Sequence, residues 1–153
     1  MIFIFHILAG VVIASKITFL PIAIFLALLS HYALDFLPHT EYSVKDIEKK
    51  DWKKSGLDFW KVAIDVGLGF AVVLIIHSIE RISYTNIIIV TFFAVLPDIL
   101  TILGWSFPNN KILQHHFSFH KMVHFPEDKK ISDFWRFSSH IAVVIFFVIL
   151  LII

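Results

Sequence analysis

Apolar residues fall in five long runs, and the polar residues gather between them. The runs are Ile2–Ala14, Phe19–Leu37, Leu57–Ile79, Tyr84–Leu103 and Ser132–Ile153. A helix that crosses a bilayer needs about 20 apolar residues, and four of the runs have that length while the first is short. The second run halts before Pro38, as helices tend to. Pro97 lies inside the fourth, where a kink is tolerated if neighbouring groups satisfy the freed carbonyl. No basic residue precedes Ile2, so the first run lacks the charged region of a secretory signal. The pattern predicts an all-α membrane protein, with residues 1–153 forming one bundle of about five transmembrane helices.

The polar segments orient that bundle. Two are long, Thr40–Gly56 and Ser106–Lys130. They carry most of the lysines: Lys45, Lys49, Lys50, Lys53 and Lys54 in one, Lys111, Lys121, Lys129 and Lys130 in the other. With five spans both loops fall on the same side, and an excess of lysine marks that side as cytoplasmic. The expected location is the inner (plasma) membrane, with the N-terminus cytoplasmic and the C-terminus outside. Trp60, Trp105 and Trp135 sit near span boundaries, where aromatic belts form. Within the last long loop, HHFSFHKMVHF sets His116, His120 and His124 four apart, on one helical face with apolar residues interleaved. A short interfacial helix is expected there, lying across the mouth of the bundle.

Composition agrees and narrows the chemistry. The chain has 153 residues, 58% of them hydrophobic and 17 of them Phe, with a mean hydropathy of +0.84. A formal net charge of +1 points to no nucleic-acid partner. The absence of cysteine excludes disulfides, thiolate metal sites and cysteine nucleophiles. Nine histidines stand out in so apolar a chain.

Depth organises the histidines and acids. At 1.5 Å per residue, His6 lies roughly 7 Å, His31 and Asp98 roughly 10 Å, and Asp65 and His140 roughly 12 Å in from the ends that face the lysine-rich loops. Five helices thus each bring an ionisable group to one layer of the membrane. Such groups cost about 2.5–3.5 kcal/mol each and are functional by default. Asp35 and His39 sit just above the layer. His31 and Asp35 are one helical turn apart and can meet one metal ion. Pro38 can turn His39 back over the site. His116 and His120 reach the layer if the loop helix closes over it, while His115 and His124 stay unassigned. His77, near the other end, serves as the contrasting membrane histidine.

Imidazoles and carboxylates without thiolate suit a catalytic Zn²⁺ site, with Mn²⁺ or Fe as alternatives. The candidate ligands are His6, His31, Asp35, His39, Asp98, His116 and His120. They are enough for one or two ions per chain, with Asp65 and His140 supporting catalysis around them. The expected chemistry is hydrolysis by metal-activated water, and a phosphoester suits a two-metal arrangement. No GxSxG motif and no Gly-rich phosphate loop occurs. A site open to both lipid and water favours an amphiphilic, lipid-like substrate.

Three features together carry a resemblance: the early membrane histidine His6, LPD at Leu96–Asp98, and the histidine-rich segment from His115. A chain laid out in this way resembles the membrane-bound metal-dependent hydrolases of the LexA-regulated inner-membrane type. That family carries LPDxD, whereas Ile99–Leu100 follow Asp98 here, and HHFSFH at His115–His120 stands where the family has an H-R-G-x-T-H-S stretch. Separately, HYALDFLPH at His31–His39 is similar to the HxxxD…PxH element of zinc-dependent phospholipase C and its single-strand nuclease relatives. That likeness implies zinc ligation by His31 and Asp35 and chemistry on phosphoesters.

Two other classes remain open on the sequence. A transporter of divalent cations or protons needs polar groups through the whole bilayer, and the outer halves AVVLII, IIIVTFFAV and VIFFVILLII are nearly bare. A small membrane interaction protein needs no shared polar layer.

Overall fold

The structure, a computed structural model, describes residues 2–40, 42–49, 51, 53–80, 82–125 and 132–153. Lys50, Lys129 and Lys130, used above to orient the loops, lie outside the described residues. Among the described residues there are seven helices and no strand: α1 (Phe3–Lys16), α2 (Leu20–Phe36), α3 (Lys45–Glu48), α4 (Gly56–Glu80), α5 (Tyr84–Ser106), α6 (Lys111–Val123) and α7 (Asp133–Ile152). Three of them are long and apolar enough to cross a membrane: Gly56–Ile79, Tyr84–Ser106 and Asp133–Ile152. The sequence pattern had suggested five. α1 has 14 residues and α2 has 17, which at 1.5 Å per residue makes them about 21 and 26 Å long, short of a hydrocarbon core about 30 Å thick.

The shortest apolar helix is the central one. α1 packs on α5 most extensively, then on α4, α2 and α7. It buries His6, Ile7, Ala9, Gly10, Val11, Val12 and Ala14, residues spread around its whole circumference. Small side chains make this possible, because they let helix backbones approach closely. At Gly10 a Cβ would lie 2.7 Å from the Thr91 Cα and 3.0 Å from the Ala94 Cβ. No side chain fits between α1 and α5 there. The interior beneath the polar layer is filled by Ile7, Val11, Ala14, Ala23, Ala27, Val73, Ile76, Ile87, Val90 and Ala94. A second cluster joins Ala9, Val12 and Leu34 to Val143 and Phe147 of α7.

The outer helices show the opposite pattern. α4 exposes Leu57, Phe59, Trp60, Ile64, Leu68, Phe70, Ile75 and Ile79, and α7 exposes a similar apolar face. Faces this apolar and continuous call for a lipid or protein neighbour rather than water.

α6 is the helix expected in the last long loop. Its N-terminus is capped by the Asn110 side chain, which accepts from Ile112 N at 3.0 Å and Leu113 N at 3.2 Å. It folds back along α5 and also touches α2. Gln114 Nε2 donates to the Gly104 carbonyl at 2.8 Å, fastening the turn between α5 and α6.

Candidate metal centre

Each element delivers its donor for a local reason. On α2, His31 and Asp35 are one turn apart on the face turned to α5, and both are fully buried. On α5, Pro97 has no N–H and interrupts the helical ladder. Next to the Phe93 carbonyl, whose helical donor Pro97 removes, the Ala94 carbonyl accepts from His31 Nδ1–H at 2.7 Å. Asp98 follows directly. One turn on from Pro97, Thr101 donates its hydroxyl to the Pro97 carbonyl at 3.1 Å. Its oxygen then accepts from His120 Nδ1–H at 3.3 Å. His120 is the buried residue of α6.

These contacts set the tautomers. Both Nδ1 atoms are donors, so in neutral rings both Nε2 atoms carry lone pairs. The two Nε2 atoms nevertheless face each other at 3.1 Å. Asp35 Oδ2 completes the triangle, 3.1 Å from His31 Nε2 and 3.0 Å from His120 Nε2. Asp98 Oδ1 stands 3.6 Å from each nitrogen. Two lone pairs and two carboxylate oxygens so close together repel one another unless a proton or a metal cation lies between them.

The spacing fits a metal ion. His31, Asp35, Asp98 and His120 each offer one ligand atom within 4.8 Å of the others. Five of the six separations are 3.0–3.6 Å. Four donors bound tetrahedrally at about 2.0–2.1 Å sit about 3.3 Å apart. The second contact of each imidazole, to a carbonyl or a hydroxyl, is the support that metal-ligating histidines usually have. Asp98 is the donor most open to solvent, its side chain 17% exposed. The centre therefore opens on the Asp98 side and is sealed by α1 and α2.

The remaining expected residues separate into three groups. His6 lies against the centre, its ring stacked on His31 with centroids 4.1 Å apart. Its Nε2 is 3.2 Å from Asp35 Oδ1 and 4.0 Å from Asp98 Oδ2. Neither His6 nitrogen makes a hydrogen bond among the described residues. His39 does not join the four donors. It groups instead with Asp35 and His124, again within 4.8 Å.

His116 stacks on His120 and lies 3.4 Å from the Tyr32 hydroxyl through Nε2, outside both donor groups. Burial, reinforced by His120 and His31, pushes its imidazole below the ordinary value, so it is neutral near pH 7. Asp65 accepts from Phe3 N at 2.8 Å, Ile4 N at 3.1 Å and the Tyr42 hydroxyl at 3.0 Å. It caps the first turn of α1 from another helix and so holds the turn that carries His6. His140 stacks on Phe5, with centroids 4.7 Å apart. His115 Nδ1–H donates to Lys111 O at 3.1 Å on the exposed side of α6.

The sequence reading had not assigned Thr101, the Ala94 carbonyl or His124 to a site. Thr101 lies three residues after Asp98, and His124 four after His120, so helical spacing signals both. The Ala94 carbonyl has no signature of its own beyond the proline three residues on.

No family model matches the chain, and no curated protein or solved structure matches it.

Proposed function

We propose that this chain is an integral membrane metal-dependent hydrolase that cleaves a phosphoester of an amphiphilic, lipid-like substrate at the cytoplasmic interface. The observation that carries the reading is the convergence of His31, Asp35, Asp98 and His120 with ligand spacing, in a set of donors that lacks thiolate. In the proposal, α1 and α2 are short spans beside α4, α5 and α7, giving five in all with the N-terminus inside. The likeness to membrane-bound metal-dependent hydrolases, drawn from His6, Leu96–Asp98 and the histidines of α6, points the same way.

A divalent ion held by these four residues, most simply Zn²⁺ with Mn²⁺ or Fe as alternatives, would supply a Lewis acid for a phosphoryl oxygen and, on taking a fifth ligand beside the four, a water of lowered pKa. The chain's own residues do the rest. Ala94 and Thr101 hold the two imidazoles in the ligating tautomer. The partly exposed Asp98 leaves the approach from solvent open, while α1 and α2 exclude water behind the site. His116, neutral and beside the centre, is placed to exchange a proton with a substrate oxygen. The apolar outer faces of α4 and α7 suit lipid contact, which brings an amphiphilic substrate to the same depth.

A transporter of cations is the second reading. Among the described residues, the buried cluster beneath the site, from Ile7 to Ala94, is made of apolar side chains, with the Thr91 hydroxyl beside it and no ionisable side chain. That favours a closed reaction site over a pathway. The test is hydrolysis of a panel of lipid and soluble phosphoesters by purified protein loaded with Zn²⁺ or Mn²⁺. Turnover that disappears in Asp98→Asn and His120→Ala supports the proposal. Metal-dependent ion flux in proteoliposomes, without hydrolysis of any ester, contradicts it.

A further inference from the structure

The end of α2, the end of α6 and the start of α7 are fastened together by contacts that the four-donor centre does not require. Phe125 N donates to the Asp35 carbonyl at 2.7 Å, tying the chain after α6 to the last turn of α2. Arg136 Nη1 donates to the His39 carbonyl at 3.0 Å, and Ser139 Oγ donates to the Pro38 carbonyl. The result is a fixed turn that presents His39 and His124 to each other, their rings edge to face with centroids 4.7 Å apart.

Both rings have a set tautomer. His39 Nδ1–H donates to Leu37 O at 2.6 Å, and His124 Nδ1–H donates to Phe125 O at 3.2 Å. Each neutral ring then carries its lone pair on Nε2. Asp35, His39 and His124 offer ligand atoms within 4.8 Å of one another. Asp35 thus belongs to both donor groups. Its Oδ2 lies 3.1 Å from His31 Nε2 and 3.0 Å from His120 Nε2, and its Oδ1 lies 3.2 Å from His6 Nε2. A carboxylate common to two donor groups is suited to hold two neighbouring metal ions, as in two-metal sites.

We propose that Asp35, His39 and His124 form a second binding position for a divalent transition-metal ion, with Asp35 as the ligand common to both positions. This inference rests on the reading of His31, Asp35, Asp98 and His120 as a metal centre. Two imidazoles and one carboxylate form the open, three-ligand set typical of catalytic rather than structural zinc. His39 is buried and His124 half-buried, so this position, like the first, has one partly exposed ligand. A second cation there adds positive charge beside the first and suits an anionic, phosphate-bearing group.

The experiment uses the full chain in detergent or nanodiscs, stripped with chelator and titrated with Co²⁺ and Mn²⁺. Ions per chain are counted, and visible absorption and electron spin resonance are recorded on the same samples. The expected result is two ions per chain, with spin-coupled Mn²⁺ at saturation. His124→Ala and His39→Ala each bind one ion, with an uncoupled signal and the Co²⁺ bands of the first centre retained. His120→Ala loses those bands. His124→Gln, which is polar and close in size, gives the same one-ion result if ligation rather than folding is at stake. Wild-type protein that saturates at one ion, lost in His120→Ala and kept in His124→Ala, overturns the second position while leaving the first intact. Wild-type protein that binds no ion overturns both.

Discussion

Two histidines on membrane-length or near-membrane helices, His31 and His77, meet opposite fates. His77 sits near the end of α4 and donates through Nδ1–H to Ile82 O at 2.7 Å, five residues along the same chain, with Tyr84 against its ring. Its needs are met locally. His31 is fully buried, and its Nδ1–H is met by α5, but its Nε2 points at a second imidazole nitrogen and at carboxylate oxygens contributed by α2 and α5. A polar group satisfied by its own helix exit is explained by folding alone. A group aimed at donors from other helices could hold a metal ion between them.

The largest expected effect is on Asp35. Asp35→Ala removes the ligand common to both donor groups and should abolish metal binding, whereas His77→Ala should leave metal content unchanged. Elemental analysis of the two purified variants checks both halves. Equal metal in the two would erase the distinction between the regions. Acidity tests it as well. A ligating imidazole must be neutral, so metal affinity should be lower in acid than at neutral pH. His77→Ala should not move that profile.

Next comes Thr101. Thr101→Val keeps the shape but removes the oxygen that accepts from His120 Nδ1–H, and metal affinity should fall about 10–100-fold. Thr101→Ser should recover most of it in the same titration. An effect of similar size, but on stability rather than affinity, is expected at Gly10, where an added methyl meets the α5 backbone. Gly10→Ala should cost about 1–3 kcal/mol by thermal unfolding. The smallest is expected at Asp65. Asp65→Asn weakens the cap on α1 without touching a ligand, and should cost about 1 kcal/mol of stability with metal stoichiometry intact. Loss of metal in Asp65→Asn would give this residue a more direct part than the one its contacts describe.

Height along each helix was legible in the sequence, and rotation about its axis was not. Counting residues from the loop ends brought His31, Asp98, Asp65 and His140 to one layer. The i, i+4 spacing joined His31 to Asp35, and the amphipathic loop segment offered His120. What each residue touches within the layer depends on how its helix is turned. Asp65 is turned to the first amides of α1, and His140 to Phe5. No periodicity in α4 or α7 encodes that, because both helices are apolar almost all round. His39 and His124 meet through two turns, one at Pro38 held by Arg136 and Ser139 about 100 residues away, and one after α6 held by the Asp35 carbonyl. The central position of α1 was likewise hidden by its length. Ala9, Gly10 and Ala14 were the signal, since small residues permit close packing on several sides.

The claim that His31, Asp35, Asp98 and His120 form one metal centre is tested most directly by X-ray absorption at the zinc edge, on the full chain loaded with one equivalent of Zn²⁺. The account predicts a shell of four nitrogen and oxygen donors at about 2.0–2.1 Å, with imidazole scattering that falls by half in His120→Ala and is unchanged in His77→Ala. Zinc that does not bind, or a shell of oxygens without imidazole that is the same in wild type and His120→Ala, would contradict it.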